Sequence, residues 1–211
     1  MKKIIYALMI GGVLFSGATE KTYNPKEKKP VIYSLKEPEK KNPYLLKEKY
    51  LSKRELKKIL TKLDNLIPEE FSKKDLEKIA RIESSLNTNA YREDIFRKKI
   101  NGKLEKDTIR QAGIYQVAEG TYNSFEKEDP FLIGAFNPYK NTKSFLKNLR
   151  TIKNFYKRKI PNWSNLTTQK KQRYLIAGHN YGIGKIQRKK FDLSKIPRIT
   201  KNFIRKFYEM D

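Results

Sequence analysis

From Leu51 onward apolar residues return at helical intervals, and this periodicity restricts the chain to a mainly α-helical fold. Leu56, Leu60, Leu63 and Ile67 follow one another at spacings of four, three and four, and Pro68 ends the run. A second helix is expected from Ser72, with Asp75 three residues on in the manner of a capping box. Its apolar stripe carries Leu76, Ile79 and Ala80. The next position on that stripe is Glu83, and Leu86 follows. Phe145, Leu146, Leu149, Ile152 and Phe155 predict a further helix that starts after Thr142 or Ser144. Another is expected from Thr168 to about His179, and a last one holds Phe203, Ile204, Phe207 and Tyr208. Asn101-Gly102, flanked by Ile100 and Leu104, is a tight-turn signal and predicts one small β-hairpin.

The residues before Leu51 have a different character. Residues 19–50 carry Pro25, Pro30, Pro38 and Pro43 among many Lys and Glu, which reads as a charged, disordered linker. At the start, Lys2 and Lys3 precede an apolar run from Ile4 to Phe15, and Ser16-Gly17-Ala18 then offers small residues. That order is the order of a secretory signal, so residues 1–18 are expected to direct export. A membrane span needs about 20 apolar residues. Cleavage and retention as an N-terminal anchor both stay open. The folded domain is expected over residues 51–211.

The formal net charge is +25, from 48 Lys and Arg against 23 Asp and Glu. A field of this size attracts polyanions or anionic membranes. An AT-rich coding sequence would also enrich Lys, so the charge alone selects no function. Thirteen Tyr and eleven Phe set the chain apart from wholly disordered sequences. With no Cys and one His, His179, the chain cannot assemble a zinc site of the usual Cys and His kind. No metal and no cofactor is expected.

Glu83 is the candidate for chemistry. Burying an ionised carboxylate on an apolar stripe is costly, and burial favours the protonated form that a general acid requires. Four segments give this residue a context. Glu83-Ser84-Ser85-Leu86-Asn87, followed by Asn89-Ala90, resembles the Glu-Ser motif of the soluble lytic transglycosylase family. Ala112-Gly113-Ile114-Tyr115-Gln116-Val117 is similar to the family's Gly-Leu-Met-Gln segment, with Ile114-Tyr115 in place of Leu-Met. Phe136-Asn137-Pro138 with Asn141 resembles the segment before its next helix. Ala177-Gly178-His179-Asn180-Tyr181-Gly182-Ile183-Gly184 resembles its Ala-Tyr-Asn-Ala-Gly-Pro-Gly segment. Here Gly178, His179 and Tyr181 stand where the family has Ala, Tyr and Ala. The resemblance spans about residues 72–187, and its pieces come in the family's order.

The resemblance implies a lysozyme-like α+β domain with Glu83 in a cleft. It also implies cleavage of peptidoglycan between N-acetylmuramic acid and N-acetylglucosamine, with a 1,6-anhydro sugar as product. Most glycosidases use two carboxylates, whereas this family is understood to need one. Ser84, Gln116, Tyr115, Asn180, His179 and Tyr181 are the implied substrate-binding residues. Gln116 would bond an acetamido group or the acid's surroundings, and Tyr115 and Tyr181 would stack on sugar rings. Glu93 and Asp94, just past the first motif, would position water if the enzyme were a hydrolase. The expected partners are glycan strands, with anionic wall polymers or a membrane surface. No nucleic acid is expected for an exported protein.

The rival expectation is a non-catalytic cationic module that binds wall polymer or nucleic acid. It rests on Lys157-Arg158-Lys159 and Arg188-Lys189-Lys190, with Phe155, Tyr156 and Phe191 nearby. No Gly-x-Ser-x-Gly elbow accompanies His179, and the glycines around Lys185 do not match a phosphate loop.

Overall fold

Ser52 and Ser72 start the first two helices by the same device. In the computed structural model, which describes residues 49–100, 103–127 and 130–210, each serine accepts the backbone N–H of an acidic residue three positions on. That residue's carboxylate returns the bond to the serine N–H. The partners are Glu55 for α1 (Lys53–Lys62) and Asp75 for α2 (Lys73–Ser84). Residues 1–18 and 19–48, with the expected signal and most of the linker, lie outside the described residues.

The first apolar run is only partly α-helical. After Lys62 the chain tightens into a 3₁₀ turn over Asp64–Leu66, and Leu63 and Ile67 flank it. Beyond α2 the chain forms an antiparallel sheet of β1 (Tyr91–Ile100), β2 (Lys103–Ala112) and β3 (Val117–Ala118). Pairing runs from Tyr91↔Ala112 to Ile100↔Lys103, so two residues join the long strands. Asn101 and Gly102, the expected turn, are those two and lie outside the described residues. The hairpin is longer than the small one expected. Glu93 and Asp94 are strand residues of β1 in it, opposite Arg110 and Ile109.

Short helices α3 (Glu119–Phe125) and α4 (Phe131–Ala135) lead into α5 (Pro138–Lys159). This 22-residue helix begins earlier than its apolar periodicity suggests. Asn137 caps it by accepting the N–H groups of Tyr139 and Lys140, and Pro138 occupies the first turn, where no N–H is needed. Next come α6 (Thr168–Tyr181), α7 (Ile183–Arg188) and α8 (Arg198–Glu209).

The protein is therefore mainly helical with one small antiparallel sheet. α5 is its axis, packed against α1, α3, α4 and α6, while α8 closes over α2 and α6. Leu56, Leu60, Leu76, Ile79, Phe145, Leu146, Leu149, Ile152, Leu175 and Phe207 make one continuous core. Gly178 sets the approach of α6 to α5. A Cβ there would lie 2.6 Å from the Ile152 Cγ2 and 3.0 Å from the Tyr156 hydroxyl.

Candidate active site

Three elements converge on Glu83: the end of α2 that carries it, the turn between β2 and β3, and the last turn of α6. The α2 helix ends abruptly one residue later, because Ser85 and Leu86 hold left-handed φ values of 55° and 68°. Such φ values are uncommon outside glycine. They turn the chain at once into Asn87–Ala90, which lies along the β2–β3 turn. The carbonyl of Ala90 accepts the N–H of Gly113 at 2.9 Å and the Gln116 Nε2 at 3.1 Å.

The β2–β3 turn needs its glycine. Gly113 has φ +78°, and a Cβ there would collide with the Ala135 carbonyl oxygen and the Asn141 amide. The Asn141 side chain, fully buried on α5, holds the turn from below. Its Oδ1 accepts the Tyr115 N–H at 3.0 Å, and its Nδ2 donates to the Ala112 carbonyl at 2.9 Å. From above, the Ser84 hydroxyl donates to the Ile114 carbonyl at 2.9 Å.

The Glu83 side chain is 7% exposed, and its Oε1 lies 3.6 Å from Nε2 of His179, which is 8% exposed. On the far side of the imidazole, the Asn148 Nδ2 lies 3.3 Å from Nδ1. The Phe145 ring meets the imidazole edge to face at 4.9 Å. A carboxyl thus sits against an imidazole, largely shielded from water, in a wall built by α2, α5 and α6.

The other expected site residues divide into two groups. Ser84 and Gln116 line the same corner, with their polar hydrogens committed to backbone carbonyls: Ser84 to Ile114, Gln116 to Ala90 and Gly113. The Gln116 Oε1 accepts no hydrogen bond among the described residues. Tyr181, partly buried at the end of α6, has the Lys185 ammonium over its ring at 5.3 Å. Asn180 reaches toward α8, where its Oδ1 accepts the Thr200 hydroxyl at 2.7 Å.

Tyr115 requires a correction. Its ring is fully buried and stacked on Phe145 at 4.1 Å, with 6° between the planes, so it has no face to offer a sugar. The ring fills core volume against Phe145. Burial pushes its phenol far above the ordinary tyrosine value, with a smaller push from the Glu77 charge. The sequence marks Asn141 only as part of a motif and gives Asn148 no motif at all. Both fall on the inward stripe of α5 with Phe145 and Ile152, and polar residues in that stripe were the available signal.

A separate depression of about 500 Å³ lies between α6 and the segment after α7. Lys170, Arg173, Tyr174, Phe191, Asp192 and Ser194 are among its lining residues, and Glu83 is not. Among the described residues no three of His, Cys, Asp and Glu cluster closely enough to hold a metal ion. No protein-family model, curated protein or solved structure matches the chain.

Proposed function

We propose that the chain is an exported peptidoglycan lytic transglycosylase on a lysozyme-like fold, with Glu83 as acid and then base. One observation carries this reading: the four motif segments, far apart in sequence, touch through their own polar side chains. Ser84 bonds the second segment at Ile114, Asn141 of the third bonds it at Tyr115 and Ala112, and His179 of the fourth meets Glu83. A set of unrelated helix ends has no reason to make those contacts.

The chemistry needs a single carboxyl. Glu83 gives its proton to the glycosidic oxygen between muramic acid and glucosamine, and the bond to the muramic anomeric carbon breaks. The carboxylate then takes the proton of the muramic 6-hydroxyl, whose oxygen attacks that carbon and closes the 1,6-anhydro ring. Glu83 ends protonated, as it began. The nucleophile belongs to the substrate, so proximity replaces an activated water. Gln116, whose Oε1 accepts no hydrogen bond among the described residues, suits an acetamido N–H, and Tyr181 is the aromatic left for a sugar ring.

The test is mass spectrometry of purified sacculi after incubation with the protein or its Glu83→Gln variant. Anhydro-muropeptides from the wild type alone are the expected result. A reducing-end muramic acid instead would make the enzyme a hydrolase. Bound sacculi with no soluble product from either protein would favour a non-catalytic cationic binder. The observation on that side is the depression lined by Lys170 and Arg173, away from Glu83.

Among the described residues no helix is long and apolar enough to cross a membrane. Attachment to a membrane, if the N-terminal run is retained, falls to residues 1–18.

A further inference from the structure

We propose that His179 is the positioning residue for Glu83, donating a hydrogen bond from Nε2 to the carboxyl, and that Asn148 sets the tautomer that makes this possible. The inference rests on the reading of Glu83 as the acid and base, and it adds a second group to a reaction written above with one.

The geometry is directional. Imidazole has two nitrogens, and in its neutral form one carries the proton while the other accepts. Nδ1 of His179 faces the amide nitrogen of Asn148 at 3.3 Å, and an amide nitrogen only donates. With the amide in this orientation Nδ1 is the acceptor, which assigns the proton to Nε2, the atom 3.6 Å from Glu83 Oε1. That separation is slightly long for a hydrogen bond. Catalytic hydrogen bonds in unliganded enzymes are commonly long and tighten when substrate arrives.

Each partner is held against rotation. Asn148 is 6% exposed on the α5 face that packs on α6. The imidazole is pinned edge to face by Phe145, whose other contact is the stacked Tyr115 ring. The Gly178 beside it lets α6 approach α5 closely enough for the Asn148 contact. The chain thus spends a buried Asn, an aromatic stack and a helix-packing glycine on one imidazole orientation.

The consequence for catalysis follows from charge. When Glu83 gives up its proton, a carboxylate appears in a wall shielded from water. A fixed N–H aimed at it stabilises the charge at the moment it forms, without reorganisation. The same donor orients the carboxyl so that its other oxygen, Oε2, is the one presented to the glycosidic oxygen and later to the 6-hydroxyl. An ordinary core histidine would be satisfied by one backbone carbonyl at its N–H and one donor at its other nitrogen, and would make no demand on Glu83.

His179 is the chain's sole histidine, which gives a test independent of turnover. Long-range ¹H–¹⁵N spectra of the full chain labelled in its imidazole report the tautomer directly. The expected result at mildly alkaline pH is a protonated Nε2 and an unprotonated Nδ1, with the Nε2 proton signal moving upfield in Glu83→Gln. In Asn148→Leu the Nδ1-protonated form should gain population. A proton on Nδ1 in the wild type, or an Nε2 signal indifferent to Glu83→Gln, overturns the proposal whether or not sacculi are cleaved. Absence of cleavage with the expected spectra would instead count against Glu83 as an acid and leave the pairing established.

The kinetic arm uses release of muropeptides from sacculi. His179→Phe keeps the ring and loses the donor, so kcat should fall about tenfold or more with KM little changed. His179→Gln returns an N–H donor and should recover part of the loss. Folding of both variants is checked by amide spectra. A folded His179→Phe with unchanged kcat also overturns the proposal.

Discussion

Asn141 holds the Gly113–Gln116 turn by both ends of its amide, accepting the Tyr115 N–H at 3.0 Å and donating to the Ala112 carbonyl at 2.9 Å. Replacing it with Ala strands two buried backbone groups, each costing about 1–3 kcal/mol. The turn also carries Gln116 and the Ile114 carbonyl that anchors Ser84, so slackening it frees the end of α2. Asn141→Ala should lose stability by about that sum in urea unfolding. Its residual cleavage should fall further than in Thr142→Ala, where the helix-backbone bond of the neighbouring hydroxyl is lost but the turn is untouched.

Lys153 of α5 ties down the loop before α2 through Glu70 at 2.9 Å and Glu69 at 2.8 Å. Burial alone would lower its ammonium, but hydrogen bonds and charge from the two carboxylates outweigh that and hold it above the ordinary lysine range. Glu69 is exposed and contributes little. Glu70, whose side chain is 2% exposed, is the partner that matters. Lys153→Met leaves that carboxylate buried without a counter-charge and should cost about 3–5 kcal/mol. Adding Glu70→Gln removes the orphaned charge, so the double variant should regain most of the loss. Denaturant titrations of the two singles and the double measure this coupling.

The chain announces its longest helices and the position of Glu83, and hides the parts that lack a local signature. Ser72 with Asp75 and the Leu76-to-Glu83 stripe place α2 and its carboxyl, because both cues are local. α3 and α4 follow Ala118 and Pro130, neither of which makes a side-chain cap, so nothing marks their starts. In β1 and β2, Glu93 faces Arg110 across the ladder, a charge pair in place of a matched apolar pair. That pairing becomes visible only once the register is known. His179 could be read as a departure from a familiar segment. Its meeting with Glu83 depends on Gly178 and Asn148, which are set by helix packing and not by sequence neighbours.

The runs Lys157-Arg158-Lys159 and Arg188-Lys189-Lys190 are both exposed, at the ends of α5 and α7. Phe191 lies 6.1 Å from Tyr156, which brings the two runs to one side of the fold. Exposed charges act through solvent and are screened within about 8 Å at physiological ionic strength. Retention on whole sacculi should therefore fall as salt is raised, and replacing both runs by Gln should weaken it at low salt while leaving the unfolding midpoint nearly unchanged. Salt-independent retention would assign binding to a surface other than the basic face.

Tyr115 and Tyr156 are fully buried with hydroxyls that make no hydrogen bond among the described residues. Burial pushes both phenols far above the ordinary tyrosine value of 10.0. The sign follows from proton counting: above about pH 10 the unfolded chain releases these protons while the folded chain keeps them, so alkali favours unfolding. The stability is present below that value and drains away as pH rises, by up to about 1.4 kcal/mol per pH unit for each tyrosine. Tyr115→Phe removes one such proton and an unpartnered hydroxyl without opening a cavity. It should match or slightly exceed the wild type at pH 7, since deleting an unmade hydrogen bond is nearly neutral, and its advantage should widen from pH 10 to pH 11. Unfolding curves at pH 7, 10 and 11 measure the difference, with lysines titrating alike in both proteins. A gap that stays constant across those pH values would mean that the Tyr115 phenol ionises within the folded protein, and that the stacked ring is reached by solvent.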